Sequence, residues 1–226
     1  PTPCWTESPS AVASPSVRHQ FWGSLGRSCG SGGAFVGKTL AKKLSVEYYD
    51  SKLLRLASDD SGISEELFAR ADEKLRRTPL FKASRKVYGG ELIPPESADF
   101  TSSQNLFNYQ AKVIRELANT ASCVVIGRCA EFVLRDRADL FSVFISGSYD
   151  QCTMREAEEH GIGERAAREK VDRINKYRSE YHEYYTGKTW AHPGNYDLCL
   201  STDHFTFEQC ADIIISAMRM KFGEKI

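Results

Sequence analysis

The chain of 226 residues has no excess of either charge: 30 Lys and Arg stand against 30 Asp and Glu. A general binder of nucleic acid polymers or of anionic membranes carries a basic excess, so neither is the expected partner. No apolar run reaches the ~18 residues that a transmembrane helix needs. The seven cysteines, Cys4, Cys29, Cys123, Cys129, Cys152, Cys199 and Cys210, include no CxxC pair. An odd count without paired spacing argues against a disulfide framework and against a thiolate zinc site. Cys123, Cys129, Cys199 and Cys210 lie in or beside apolar runs, which reads as reduced, buried thiols in a cytoplasmic protein. The charged start and apolar middle of a signal peptide are also missing. Residues 1–25, rich in Pro, Ser and Thr over the first twenty positions, are expected to form a disordered leader before a single domain at 26–226.

Hydrophobic residues make up 41% of the chain and charged residues 27%, the balance of a globular protein. Short β-branched and aromatic runs at 46–50, 122–127, 140–146 and 196–202 alternate with helical patterns. The helices are expected near 37–45, 50–59, 64–74, 102–120, 128–136, 149–160, 163–185 and 206–222. This alternation predicts an α/β fold with a doubly wound parallel sheet buried on both faces. Ser148 with Gln151, and Thr206 with Gln209, fit the capping-box pattern at two helix starts. Residues 76–101, with Gly89-Gly90 and Pro94-Pro95, read as a mobile insert.

Residues 32–39 read GGAFVGKT, a match to G-x-x-x-x-G-K-[ST]. In that motif glycines turn backbone N–H groups toward phosphate oxygens, and the helix that follows adds its positive end. Gly30, Ser31, Gly32, Gly33 and Gly37 would shape the cradle, Lys38 would reach the β- and γ-phosphates, and Thr39 would hold Mg²⁺. The preceding segment, FWGSLGRSC at 21–29, has two glycines and little β-branched character where an apolar strand is needed.

GRSCGSGGAFVGKTLAKKL, EYYDSKLL, SGISEELFARADEK, VVIGRCAEFVLRDR, INKYRSEYHEYYTGKTW and NYDLCLSTD, in this order, resemble the cytidylate kinase-like family of P-loop proteins. The resemblance covers about residues 26–218. It implies a three-layer α/β/α nucleoside monophosphate kinase-like fold with a five-stranded parallel sheet, a helical insert at about 60–110 and a lid at about 149–185. It also implies transfer of the ATP γ-phosphoryl group to a nucleoside monophosphate, CMP or dCMP, with Mg²⁺.

Residue by residue, the resemblance puts Arg27 before the loop, where it could face a phosphate. Asp50, followed by Ser51, would lie beside the monophosphate, although an Asp there also suits an N-cap. Arg128 would bind the acceptor phosphate; Cys129 stands where true cytidylate kinases have Asp. Arg155 matches a lid Arg that closes over the transferring phosphate, with Cys152 where the pattern often has another. Asp172 and Arg173 are the expected Asp and Arg near both nucleotides, while Asp172 and Lys176 at i, i+4 also suit a surface pair. Tyr177, Tyr181, Tyr184 and Tyr185 form a stripe at helical spacing, the pattern of core packing more than of base stacking.

A GTPase and a protein kinase are both disfavoured. INKYR at 174–178 lacks the Asp of a guanine-reading Asn-Lys-x-Asp. No His-Arg-Asp or Asp-Phe-Gly set of a protein kinase occurs. The alternatives that stand are a nucleotide-binding regulatory module without turnover and a kinase for another small phosphoacceptor.

Overall fold

The computed structural model describes residues 20–69, 88–224 and 226. The five strands are β1 (Trp22–Arg27), β2 (Glu47–Tyr49), β3 (Cys123–Ile126), β4 (Leu140–Ser146) and β5 (Leu198–Ser201). They form one all-parallel sheet in the order β2-β3-β1-β4-β5. The helices are α1 (Gly33–Leu44), α2 (Lys52–Ser61), α3 (Ser103–Thr120), α4 (Ala130–Val133), α5 (Tyr149–His160), α6 (Glu164–Thr186) and α7 (Phe207–Phe222). Residues 65–69 are also helical, and the rest of the helix expected to 74 lies outside the described residues. No helix among the described residues is long and apolar enough to cross a membrane.

Successive residues of β3 point to opposite faces, and two cores result. Val124 and Ile126 pack with Val36 and Leu40 of α1 and Ile214 and Met218 of α7. Cys123 and Val125 pack with residues of α2 and α3 and with Tyr181 and Tyr185 of α6. The tyrosine stripe is therefore core, with Tyr177 and Tyr184 at its margin.

The segment with the poorest strand character is the middle strand of the sheet. β1 pairs with β3 from Trp22 to Leu25 and with β4 from Trp22 to Arg27. Two flanking ladders and full burial of Trp22 and Leu25 outweigh its weak propensity. The strand starts at Trp22, so residues 22–25 of the expected leader belong to the sheet, and residues 1–19 lie outside the described residues.

Two smaller expectations change. Thr206 and Gln209 make the expected capping box, but Ser148 has no side-chain cap bond; its N–H and hydroxyl donate to the Asp203 carboxylate instead. Of the four cysteines in apolar runs, Cys199 is exposed because β5 is an edge strand, whereas Cys123, Cys129 and Cys210 are buried. Residues 88–101 of the expected insert contain no helix or strand, and 76–87 lie outside the described residues.

Leu25 is 0% exposed between the two ladders. Leu25→Ala is expected to cost about 2–5 kcal/mol of unfolding free energy in a urea titration. A cost below about 1 kcal/mol would show that β1 is not the centre of the cooperative unit.

Candidate active site

The site forms at the carboxyl ends of β1 and β3, where an open parallel sheet binds ligands. After β1 the Ser28 N–H donates to Ile145 O at 3.0 Å, and the chain turns through Gly30 and Gly32, both at positive φ. Gly32 is the N-cap of α1, and the first helical bond runs from Val36 N–H to Gly32 O at 3.0 Å. The amides of Gly33, Ala34 and Phe35 therefore precede the helical ladder and point out of the positive end of α1.

Three elements hold this loop from behind. Arg155 of α5 donates to Thr202 Oγ1 and Thr202 O, both at 2.8 Å, and reaches Gly30 O at 3.4 Å. Thr202, just after β5, donates from its hydroxyl to Ser31 O at 2.9 Å. On α6, Asn175 Oδ1 accepts from the Cys29 N–H at 2.8 Å and Arg178 donates to Arg27 O at 3.0 Å. The loop borders a cavity of about 570 Å³ that also meets Phe207, Arg155 and Lys170.

The motif at 32–39 is out of register with this loop. Because α1 starts at Gly33, Gly37, Lys38 and Thr39 lie on its second turn, not between strand and helix. Gly37 answers a packing need: a Cβ there would stand 2.6 Å from Ile126 Cδ1, so the glycine lets α1 lie close on the sheet. Lys38 is exposed, its Nζ about 6 Å from the Phe35 and Tyr48 ring centres (6.0 and 5.9 Å). Neither Lys38 nor Thr39 lines the cavity, whereas Gly30, Gly32, Gly33, Ala34 and Phe35 do.

Across β1 lies a second turn. Gly127, Arg128 and Cys129 are all left-handed, with φ of 69°, 59° and 53°. For the two non-glycines this costs roughly 1–2 kcal/mol each, strain of the kind that gathers at functional sites. The turn aims Arg128 into a cavity of about 160 Å³, bounded also by Arg27, Tyr177, Arg178, Trp190 and Tyr196. Arg128 Nη1 meets Gln110 Oε1 at 3.4 Å. Cys129 is buried, and burial followed by the nearby Glu131 pushes its thiol far up, so it is an inert apolar group here. Below it, buried His182 joins α6 to α4: Nε2 lies 2.8 Å from Glu131 Oε1 and Nδ1 lies 3.0 Å from Lys188 O.

Arg27 runs between the two cavities and lines both. Its pKa is pushed down to about 9, first by burial and then by Arg178 and Arg128; Tyr48 and Asp50 pull the other way. A guanidinium stays charged at neutral pH. Arg27, Arg128 and Arg178 thus lie close together where the two cavities meet, with Glu131 on the wall of the smaller one and Asp50 within electrostatic reach of Arg27.

The remaining expected residues are divided. Asp50 is half-buried and accepts from the Ser51 hydroxyl at 3.1 Å; it caps nothing with its side chain and lies within electrostatic reach of Arg27. Asp172 and Arg173 are exposed on the outer side of α6, with Asp172 accepting from Tyr149 Oη at 3.1 Å. The inward face of α6 carries Asn175 and Arg178 instead. Its signal was present in the spacing: Val171, Asn175, Arg178, His182 and Tyr185 recur at three and four residues, a single helical face.

The profile of the cytidylate kinase-like family matches residues 24–204. The chain belongs to that family. No curated protein matches it. Among solved structures, an uncharacterized protein from Eubacterium ventriosum ATCC 27560 is 27% identical, with a TM-score of 0.65 over 88% of this chain and 98% of its own. A shikimate kinase from Bacteroides thetaiotaomicron has a TM-score of 0.51 at 13% identity, over 88% of this chain and 98% of its own. Another, from Acinetobacter baumannii in complex with shikimate, has a TM-score of 0.48 at 15% identity, over 92% and 99%. The fold is the P-loop nucleoside monophosphate kinase-like fold, and family and fold support a phosphotransferase.

Behind the loop, Lys170 lies 2.6 Å from the buried Glu156 carboxylate. Burial pulls that carboxyl up, but Lys170, Cys29 and His160 outweigh it and hold it below the usual carboxylate range. This stabilisation is complete above the unfolded value near pH ~4.3 and is lost as pH falls through the lower folded value. Lys170→Met, which leaves the buried Glu156 without its lysine, is expected to cost about 1–3 kcal/mol at pH 7. The gap to the native protein should narrow toward pH 3 in paired urea titrations. A gap that stays constant with pH would contradict the pairing.

Proposed function

We propose that the protein is a cytoplasmic kinase that transfers the γ-phosphoryl group of ATP to a nucleoside monophosphate, CMP or dCMP. The observation that carries this reading is the pair of cavities sharing Arg27, Ile174 and Arg178 as their common wall. The larger would take the nucleotide, with its phosphates on the amides of Gly32–Phe35. The smaller would take the acceptor, its phosphate on Arg128. Phosphoryl transfer of this kind needs position and positive charge more than a covalent nucleophile.

In this reading Asn175, Arg155 and Thr202 act on the loop, not on the phosphate. They hold its carbonyls and one amide, so that the remaining amides are aimed before the nucleotide arrives. Arg155 is thus a positioning residue in place of the expected lid cation. Gly37, Lys38 and Thr39 have no phosphate role. Thr39 does not fit a resident Mg²⁺, since it stands outside the cavity on the second turn of α1. Mg²⁺ enters as part of the nucleotide substrate.

A second reading has its own support. The acceptor cavity, about 160 Å³, is smaller than the ~300–1,000 Å³ usual for ligand sites, which favours a compact phosphorylated or carboxylated acceptor over a nucleotide. Coupled assays with Mg-ATP across nucleoside monophosphates and small phosphorylated and carboxylated alcohols separate the two. Turnover with CMP or dCMP supports the first reading; turnover with a compact acceptor alone supports the second. Lys38→Ala is expected to keep turnover within about threefold, and Arg128→Ala to lose about 10²–10³-fold. Loss of turnover in Lys38→Ala would restore the motif at 32–39 as the phosphate site.

A further inference from the structure

A phosphate loop of the usual kind draws its cation from a lysine at the start of the following helix, where it reaches the β- and γ-phosphates. Here that place is taken by Gly33, and the first turn continues with Ala34, Phe35 and Val36. No Lys or Arg occurs from Ser28 to Gly37. Lys38 follows one turn later, exposed and outside the cavity.

We propose that Arg27, at the end of β1, supplies the missing cation and touches the phosphoryl group as it passes between the cavities. The inference rests on the kinase reading. Its side chain crosses from the loop to the left-handed turn at 127–129. A Cβ at Gly33 would stand 2.5 Å from Arg27 Cβ, and a Cβ at Gly127 would stand 2.4 Å from Arg27 Nη1. The position left vacant by a lysine at Gly33 is therefore filled by the stem of Arg27, and its head lies beside the acceptor turn. Arg178 fixes the backbone carbonyl of Arg27 at 3.0 Å, which holds the stem in this path. Burial next to Arg178 and Arg128 disfavours its charge, a cost that a phosphoryl group beside it would offset.

In the step itself the bond from the γ-phosphorus to the β–γ bridging oxygen breaks, and its electron pair leaves on ADP. A bond forms from the γ-phosphorus to an acceptor phosphate oxygen. That oxygen is already ionised, so no proton is removed. Arg27 donates N–H groups to the equatorial oxygens that carry the charge.

The test compares the native protein with Arg27→Met and Arg27→Lys. Calorimetry measures ADP and ATP binding, rate assays give kcat and KM, and thermal unfolding checks the fold of each variant. In Arg27→Met, kcat is expected to fall about 10²–10³-fold with ADP affinity within about threefold of native. The native protein is expected to prefer ATP over ADP, and that preference should disappear in Arg27→Met. Arg27→Lys, which keeps the charge but not the fork, should recover part of kcat. Native-like turnover in Arg27→Met would overturn the role and leave the kinase reading standing. Parallel loss of ADP binding and of unfolding temperature in both variants would overturn it in favour of a purely structural arginine. A native protein that turns over no acceptor, yet prefers ATP over ADP in an Arg27-dependent way, would sustain the phosphate contact and remove the kinase reading. A native protein that binds neither nucleotide would overturn both.

Discussion

The path of one side chain constrains the whole site. Arg27 leaves the end of the central strand and passes close to two glycines, Gly33 at the start of α1 and Gly127 on the opposite turn. The loop must turn early so that α1 starts at Gly33; the 127–129 turn must be left-handed so that Arg128 faces the same space. Arg27, Arg128 and Arg178 are thereby brought close together in a half-buried place, where an incoming anion would be attracted.

Rigidity comes from the neighbouring elements. The strand β1 is fixed by ladders on both sides, so the Arg27 backbone has little freedom. The loop carbonyls are held through Thr202 and Arg155, and its first amide is held by Asn175. Helix α6 links the two cavities: Asn175 and Arg178 reach the loop, while His182 and the tyrosines below them bind the helix to α4 and to the core. Motion of α6 relative to the sheet would therefore change both cavities together.

Much of the fold was legible in the sequence. Four strands and the long helices follow from apolar runs and helical periods. The fifth strand was obscured because β1 gains its stability from pairing on both sides, which local propensity does not report. The site was legible in its chemistry and less so in its register. The match at 32–39 satisfies a sequence pattern whose glycine and lysine fall on a helix, and a one-turn difference in where a helix starts is not visible in composition. The resemblance points to Asp172 and Arg173, which are exposed, whereas Asn175 and Arg178 of the same helix reach the loop. Sorting α6 by the spacing of Val171, Tyr181 and Tyr185 would have put Asn175 and Arg178 inward.

The central claim is that phosphates are bound at the start of α1 and by Arg27, not at Gly37-Lys38-Thr39. A crystal structure with a non-hydrolysable ATP analogue and Mg²⁺ tests it most directly. Phosphate oxygens are expected within hydrogen-bond distance, about 2.7–3.2 Å, of the Gly33–Phe35 amides and of the Arg27 guanidinium. A triphosphate held by Lys38 Nζ and Thr39, with Arg27 out of contact, would contradict it.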